Sequence, residues 1–139
     1  MAQILVIDDE PDVRESMHEV LSRSGHAVRT APNALDGIGM CRALQPDLLI
    51  TDIIMPESHG FEAITQIRND FPHVRIIAIS GGGNFWPADY QPESVTTTAY
   101  LAAASRFGAD AVLAKPFDRA TLLALVDKLV SLPQGGRPN

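Results

Sequence analysis

The sequence contains a single cysteine, Cys41, so it can close no disulfide within the chain and build no thiolate metal cage, a usage that suits a reducing cytosol. It has no apolar run near the roughly 20 residues that a membrane-spanning helix needs. The opening MAQILVIDDE has no basic lead-in, and its apolar run stops at two aspartates, so it reads as a strand rather than a signal peptide. Basic residues are scarce: 11 Lys and Arg against 17 Asp and Glu leave a net charge of -6, whose field repels phosphate backbones and anionic lipid. A cytoplasmic protein that contacts neither nucleic acid nor membrane directly is therefore expected. What remains is ordinary globular composition, 45% hydrophobic and 20% charged, over 139 residues, which suits one domain with no separate output domain.

Short apolar runs alternate with longer segments of helical period, the pattern of a parallel sheet with helices on both faces. The spacing predicts strands at Gln3 to Asp8, His26 to Ala31, Asp47 to Asp52, Val74 to Ser80 and Asp110 to Ala114. Most are apolar at every position, as strands covered on both sides must be. Val13, Met17, Val20 and Leu21 mark a first helix, opened by Pro11 and stopped by Gly25. Asn33 to Leu44 supplies a second, with Gly37 and Gly39 each lowering its intrinsic helicity by about 1 kcal/mol. Phe61, Ile64, Ile67 and Phe71 line a third, which Pro72 ends, and Ala99 to Phe107 reads as an Ala-rich fourth. After an Asp118 N-cap, Leu122, Leu125, Val126, Leu129 and Val130 form the stripe of a fifth. One domain is thus expected over residues 1–131, with a flexible tail over 132–139.

In an open α/β sheet, reactive groups gather at the carboxyl ends of the strands. Here strand one ends in Asp8-Asp9, strand three in Asp52 and strand four in Ser80, and strand five runs straight into Lys115-Pro116. Taken singly, each has a plainer reading: Asp8-Asp9 as a helix cap, Asp52 as a turn former, Lys115 as a loop lysine, Ser80 as a strand-end hydroxyl. Their joint placement on one edge carries the functional reading. Three carboxylates brought together repel by about 4 kcal/mol per pair at about 4 Å and an effective dielectric near 20. A lysine and a hard divalent ion such as Mg2+ would compensate them, and the same set can hold a phosphoryl group during transfer to aspartate.

The pieces IDDEPDVRESM, DLLITDIIMPESHGFE with its Asp-Xaa-Xaa-Met-Pro signature, IIAIS and GADAVLAKPF together resemble the receiver domain of two-component response regulators. The resemblance implies a three-layer, doubly wound, flavodoxin-like fold with strand order 2-1-3-4-5. It implies Asp52 as phosphoacceptor, with Asp9, Asp52 and the Ile54 carbonyl binding Mg2+ and Asp8 acting on that ion through water. Ser80 becomes the switch hydroxyl, Lys115 the cationic partner, and the Lys115-Pro116 peptide cis. Such a domain is a signalling phosphoacceptor rather than an enzyme. It takes phosphoryl groups from a sensor histidine kinase or a histidine phosphotransfer protein, and it signals by binding a protein target or passing the group onward in a phosphorelay.

Two features depart from that family's usual pattern. Val112 occupies the position where many receivers carry an aromatic switch residue, and a valine has no ring to swing. Between Gly81 and Thr98 the chain carries an extended segment holding Phe85, Trp86 and Tyr90, with Tyr100 just beyond, four of the eight aromatic residues. These are expected to form a partner surface responsive to phosphorylation. The Gly81-Gly82-Gly83 run reads as a hinge, since no Gly-Lys-Ser/Thr follows it. His18, His26, His59 and His73 lack metal-ligand spacing and read as surface histidines, while Met17, Met40, Met55 and Cys41 read as core filler. The alternatives are a partner-binding pseudo-receiver that is never phosphorylated, an aspartyl-phosphate phosphatase, and a flavin-binding module. Ile54 argues against the phosphatase, which wants a second carboxylate there, and the acidic Asp8-Asp9-Glu10 loop argues against flavin phosphate.

Overall fold

The computed structural model describes residues 2–52, 54–55, 58–80, 108–114 and 117–131, with side chains for 2–52, 64–79, 108–113 and 117–131. Strands β1 (Gln3–Ile7), β2 (Ala27–Ala31), β3 (Leu48–Asp52), β6 (Arg75–Ser80) and β7 (Ala111–Ala114) form one parallel sheet in the order β2-β1-β3-β6-β7. Counted along the chain within this sheet, that is the expected 2-1-3-4-5. Helices α1 (Pro11–Arg23), α2 (Ala34–Ala43) and α3 (Gly60–Asp70) and a C-terminal helix (Arg119–Val130) cover its faces. A two-stranded antiparallel ladder that the sequence did not signal, β4 (Ile54–Met55) with β5 (Ser58–His59), follows β3. The expected fourth helix over 99–107, the 81–98 segment and the 132–139 tail lie outside the described residues.

Alternation along each strand sorts the core into two layers. Ile4, Val6, Leu48, Ile50, Ile77 and Ile79 face Met17 and Leu21 of α1 and Leu122, Val126 and Leu129 of the C-terminal helix. Leu5, Ile7, Leu49, Ile76 and Ala78 face Ala34, Ile38 and Cys41 of α2 and Ile64 and Ile67 of α3. Each fully buried Leu or Ile contributes about 1.5–3 kcal/mol, so the two layers supply the main drive to fold. Burial pushes the Cys41 thiol up to about 11, against a smaller opposing pull from Arg29, which makes it packing material rather than a nucleophile.

The helix ends follow their local chemistry. Gly25, at φ +96°, closes α1 in a Schellman arrangement: His26 N–H donates to the Leu21 carbonyl at 3.2 Å, and Gly25 N–H to that of Ser22 at 3.0 Å. Asn33 caps α2 by accepting from Asp36 N–H at 2.8 Å, and Asp118 caps the C-terminal helix by accepting from Thr121 N–H at 2.7 Å. The two glycines of α2 differ. A Cβ at Gly37 would lie 2.7 Å from Ile7 Cγ1, so the glycine is what lets α2 approach β1, whereas a Cβ at Gly39 would meet nothing within 4 Å.

Strand boundaries shift by one residue from the sequence expectation, for a physical reason at two of them. Asp47 and Asp110 stand just before β3 and β7 and act as caps: Asp47 Oδ2 accepts from Gln3 N–H and Asp110 Oδ2 from Ile76 N–H, each at 2.8 Å. His26 also departs from a plain surface histidine. It is half-buried, and its Nδ1 accepts from Ala2 N–H at 3.1 Å.

Candidate functional site

The registers of the central strands decide what meets at the carboxyl edge. Ile7 of β1 is paired with Thr51 of β3, so Asp8, one residue past β1, comes level with Asp52, the last residue of β3. Parallel neighbours lie about 4.8 Å apart, which sets two carboxylates side by side. The following turn brings in the third: Asp8, Asp9 and Asp52 each present an oxygen, and the three oxygens lie within 4.8 Å of one another. Asp8 and Asp52 are 1% and 3% exposed, and Asp9 is half-buried.

The turn itself is built by Asp8 rather than by a helix cap. Asp8 Oδ1 accepts from Glu10 N–H at 2.9 Å, while Glu10 holds the N-cap position of α1 with no side-chain bond to the helix. The plainer alternative, that Asp8-Asp9 caps α1, does not hold: Pro11 at the first helical position needs no acceptor, and the aspartate serves the loop. The Thr51 hydroxyl, wholly buried, donates to the Asp52 carbonyl at 3.1 Å.

The donor set is all carboxylate oxygen, hard and anionic, which fits Mg2+ and gives nothing that a soft metal would prefer. An acidic cluster able to bind a divalent cation is thus present where the sequence placed it.

Next along the edge, Asp52 pairs with Ile79, and Ser80 pairs with Ala114, the last residue of β7. Ile54 pairs with His59 in the small ladder. Val112 pairs with Ala78 and packs, partly buried, against the layer of α2 and α3. The side chains of Ser80 and Ile54, and all of Lys115, Pro116, Phe85, Trp86, Tyr90 and Tyr100, lie outside the described residues.

Comparison with known proteins agrees with this geometry. The family described as "Response regulator receiver domain" matches residues 4–88. The chain belongs to that family. Protein PilH of Pseudomonas aeruginosa is 31% identical over 131 residues, 94% of this chain and 99% of its own length. The DNA-binding transcriptional regulator NtrC of Azospirillum brasilense is 35% identical over 130 residues, which cover 94% of this chain but only 24% of that protein. This chain thus spans about a quarter of the NtrC-type relatives and nearly all of PilH. Among solved structures, the receiver domain of NtrX from Brucella abortus superposes with a TM-score of 0.79 at 28% identity, covering 94% of this chain and 99% of that one. A response regulator receiver domain protein from Clostridium thermocellum gives 0.78 at 26% identity, covering 94% and 95%.

As a receiver domain, the chain belongs to a family of phosphorylation-based signalling domains. Among the described residues, no helix is long and apolar enough to cross a membrane. Sequence reasoning missed two arginines that organise the sheet edges. Arg14, six residues after Asp8, reaches back to its carbonyl. Arg68, on the outer part of α3, binds the opposite edge of the sheet. A signal existed for Arg14, since a cation one turn into a helix can fold back over the loop that precedes it. None existed for Arg68, whose partners lie up to 42 residues away.

Proposed function

We propose that this receiver domain is a phosphorylation-controlled switch in which Asp52 accepts a phosphoryl group from a phosphohistidine on a sensor histidine kinase or a histidine phosphotransfer protein. The single observation that carries the reading is the convergence of Asp8, Asp9 and Asp52 oxygens within 4.8 Å at the carboxyl edge of the sheet. Asp8, Asp9 and Asp52, with the Ile54 carbonyl, would hold Mg2+, which when bound supplies positive charge to the phosphoryl oxygens.

In the transfer, an Asp52 oxygen attacks phosphorus in line, the new P–O bond forms as the P–N bond to histidine breaks, and the imidazole leaves with its electron pair. Lys115 neutralises one phosphoryl oxygen and Ser80 donates a hydrogen bond to another. The low exposure of Asp52 keeps bulk water from the acyl phosphate. The phosphorylated form then binds a protein target or passes the group on, with Phe85, Trp86, Tyr90 and Tyr100 as the contact surface and Val112 in place of an aromatic switch. Residues 1–131 form the receiver, 132–139 a tail.

The deciding experiment incubates the protein with acetyl phosphate and Mg2+ and weighs it. The wild type gains one phosphoryl mass and Asp52→Asn gains none. Equal labelling of the variant would move the acceptor elsewhere, and a wild type that takes up no phosphoryl group would favour an adaptor that binds partners unphosphorylated.

A further inference from the structure

Arg14 stands in α1 close behind the acidic turn and makes one bond toward it. Its Nη1 donates to the backbone carbonyl of Asp8 at 2.7 Å, a short charge-assisted bond. The Asp8 carboxylate accepts from Glu10 N–H at 2.9 Å, and Arg14 N–H donates to the Glu10 carbonyl at 3.1 Å. The connection from β1 to α1 is therefore bonded at the Asp8 carbonyl, the Asp8 carboxylate and the Glu10 carbonyl, among other places; the Arg14 side chain makes the first of these bonds and its backbone N–H the last. Arg14 is half-buried as a residue and lines a groove together with Pro11, Glu15 and His18.

We propose that Arg14 is a positioning residue for the acidic pocket, holding the Asp8-Asp9 turn in the geometry in which both carboxylates converge on Asp52. The inference rests on reading those carboxylates as a cation site. It carries a definite sign. A guanidinium acting only as a nearby positive charge would repel a divalent cation, and its removal would tighten binding. A guanidinium acting through the Asp8 carbonyl orients the ligands, and its removal loosens binding, by roughly 10- to 100-fold for partners of this kind.

The test is Mg2+ titration by calorimetry of the full chain as wild type, Arg14→Met and Arg14→Lys. Methionine keeps most of the apolar stem and lacks the donor, and lysine restores a single donor, matching the one side-chain hydrogen bond that Arg14 makes among the described residues. Arg14→Met is expected to weaken Mg2+ binding about 10-fold. Arg14→Lys should recover most of that loss. Mg2+ binding by Arg14→Met that equals or exceeds wild type overturns the inference while leaving the site intact. Failure of the wild type itself to bind Mg2+ overturns the inference and the site together.

Discussion

At the amino edge of the sheet, aspartates bond sideways to other strands; at the carboxyl edge three of them converge on one another. Asp47 accepts from the first N–H of β1, while its own N–H donates to the Gln3 carbonyl at 2.8 Å. Asp110 accepts from Ile76 N–H and pairs with Arg68 at 2.7 Å, both side chains under a fifth exposed. Arg68 completes that edge by donating to the carbonyls of Pro72, Val74 and Gly108 at 2.9 to 3.1 Å. Asp8, Asp9 and Asp52 instead crowd three carboxylate oxygens into one pocket. The difference shows what burial of aspartate can be for. On one edge the charge locks strands, and on the other three carboxylates converge in a set that could hold a metal ion.

The comparison makes predictions of opposite sign. The largest concerns the amino edge. Asp110→Ala leaves Arg68 and Ile76 N–H short of an acceptor in a site that is four-fifths covered, and should lower stability by about 3 kcal/mol, seen as a lower urea midpoint at unchanged slope. A midpoint within error of wild type would mean that this edge is no lock. At the carboxyl edge, Asp9→Asn relieves like-charge repulsion and should raise stability by about 1 kcal/mol in EDTA. The same variant should lose the stabilisation that Mg2+ confers on the wild type by binding the folded state alone. A variant less stable than wild type in EDTA would break the contrast between the edges.

The smallest effect concerns Asp118, a carboxylate at neither edge. Its side-chain hydrogen bond with Thr121, followed by the backbone bond to the same residue, holds its pKa below the ordinary 3.8. A depressed carboxylate stabilises the fold fully above its unfolded value and loses that contribution as pH falls through the folded one. The stability difference between wild type and Asp118→Asn should therefore be constant at neutral pH and begin to change only below about pH 5, as the unfolded carboxyl starts to protonate. A difference that changes between neutral pH and about pH 5 would point to another group.

The glycines of α2 show how far sequence reading reaches. Both look like equal penalties in a helix, yet Gly37 is required by the approach of Ile7 while Gly39 faces open space. The strands behave likewise. Their cores were legible because apolar runs of β character report burial on both faces, whereas the first residues of β3 and β7 were not, because Asp47 and Asp110 are bonded sideways to other strands. The acidic set was legible because each aspartate ends a strand, and strand ends in a parallel sheet share an edge.

Chain order alone determined the alternation of strands and helices, the cap at Asp118, the stop at Gly25 and the ending of strands at aspartates, since each depends on neighbours a few residues apart. Only the tertiary structure decided that Asp8 builds a turn rather than a cap, that Arg14 reaches back to it, and that Arg68 ties α3 to a strand about 40 residues downstream. Those contacts depend on register and on the angle at which a helix crosses the sheet, which packing sets and local sequence does not record.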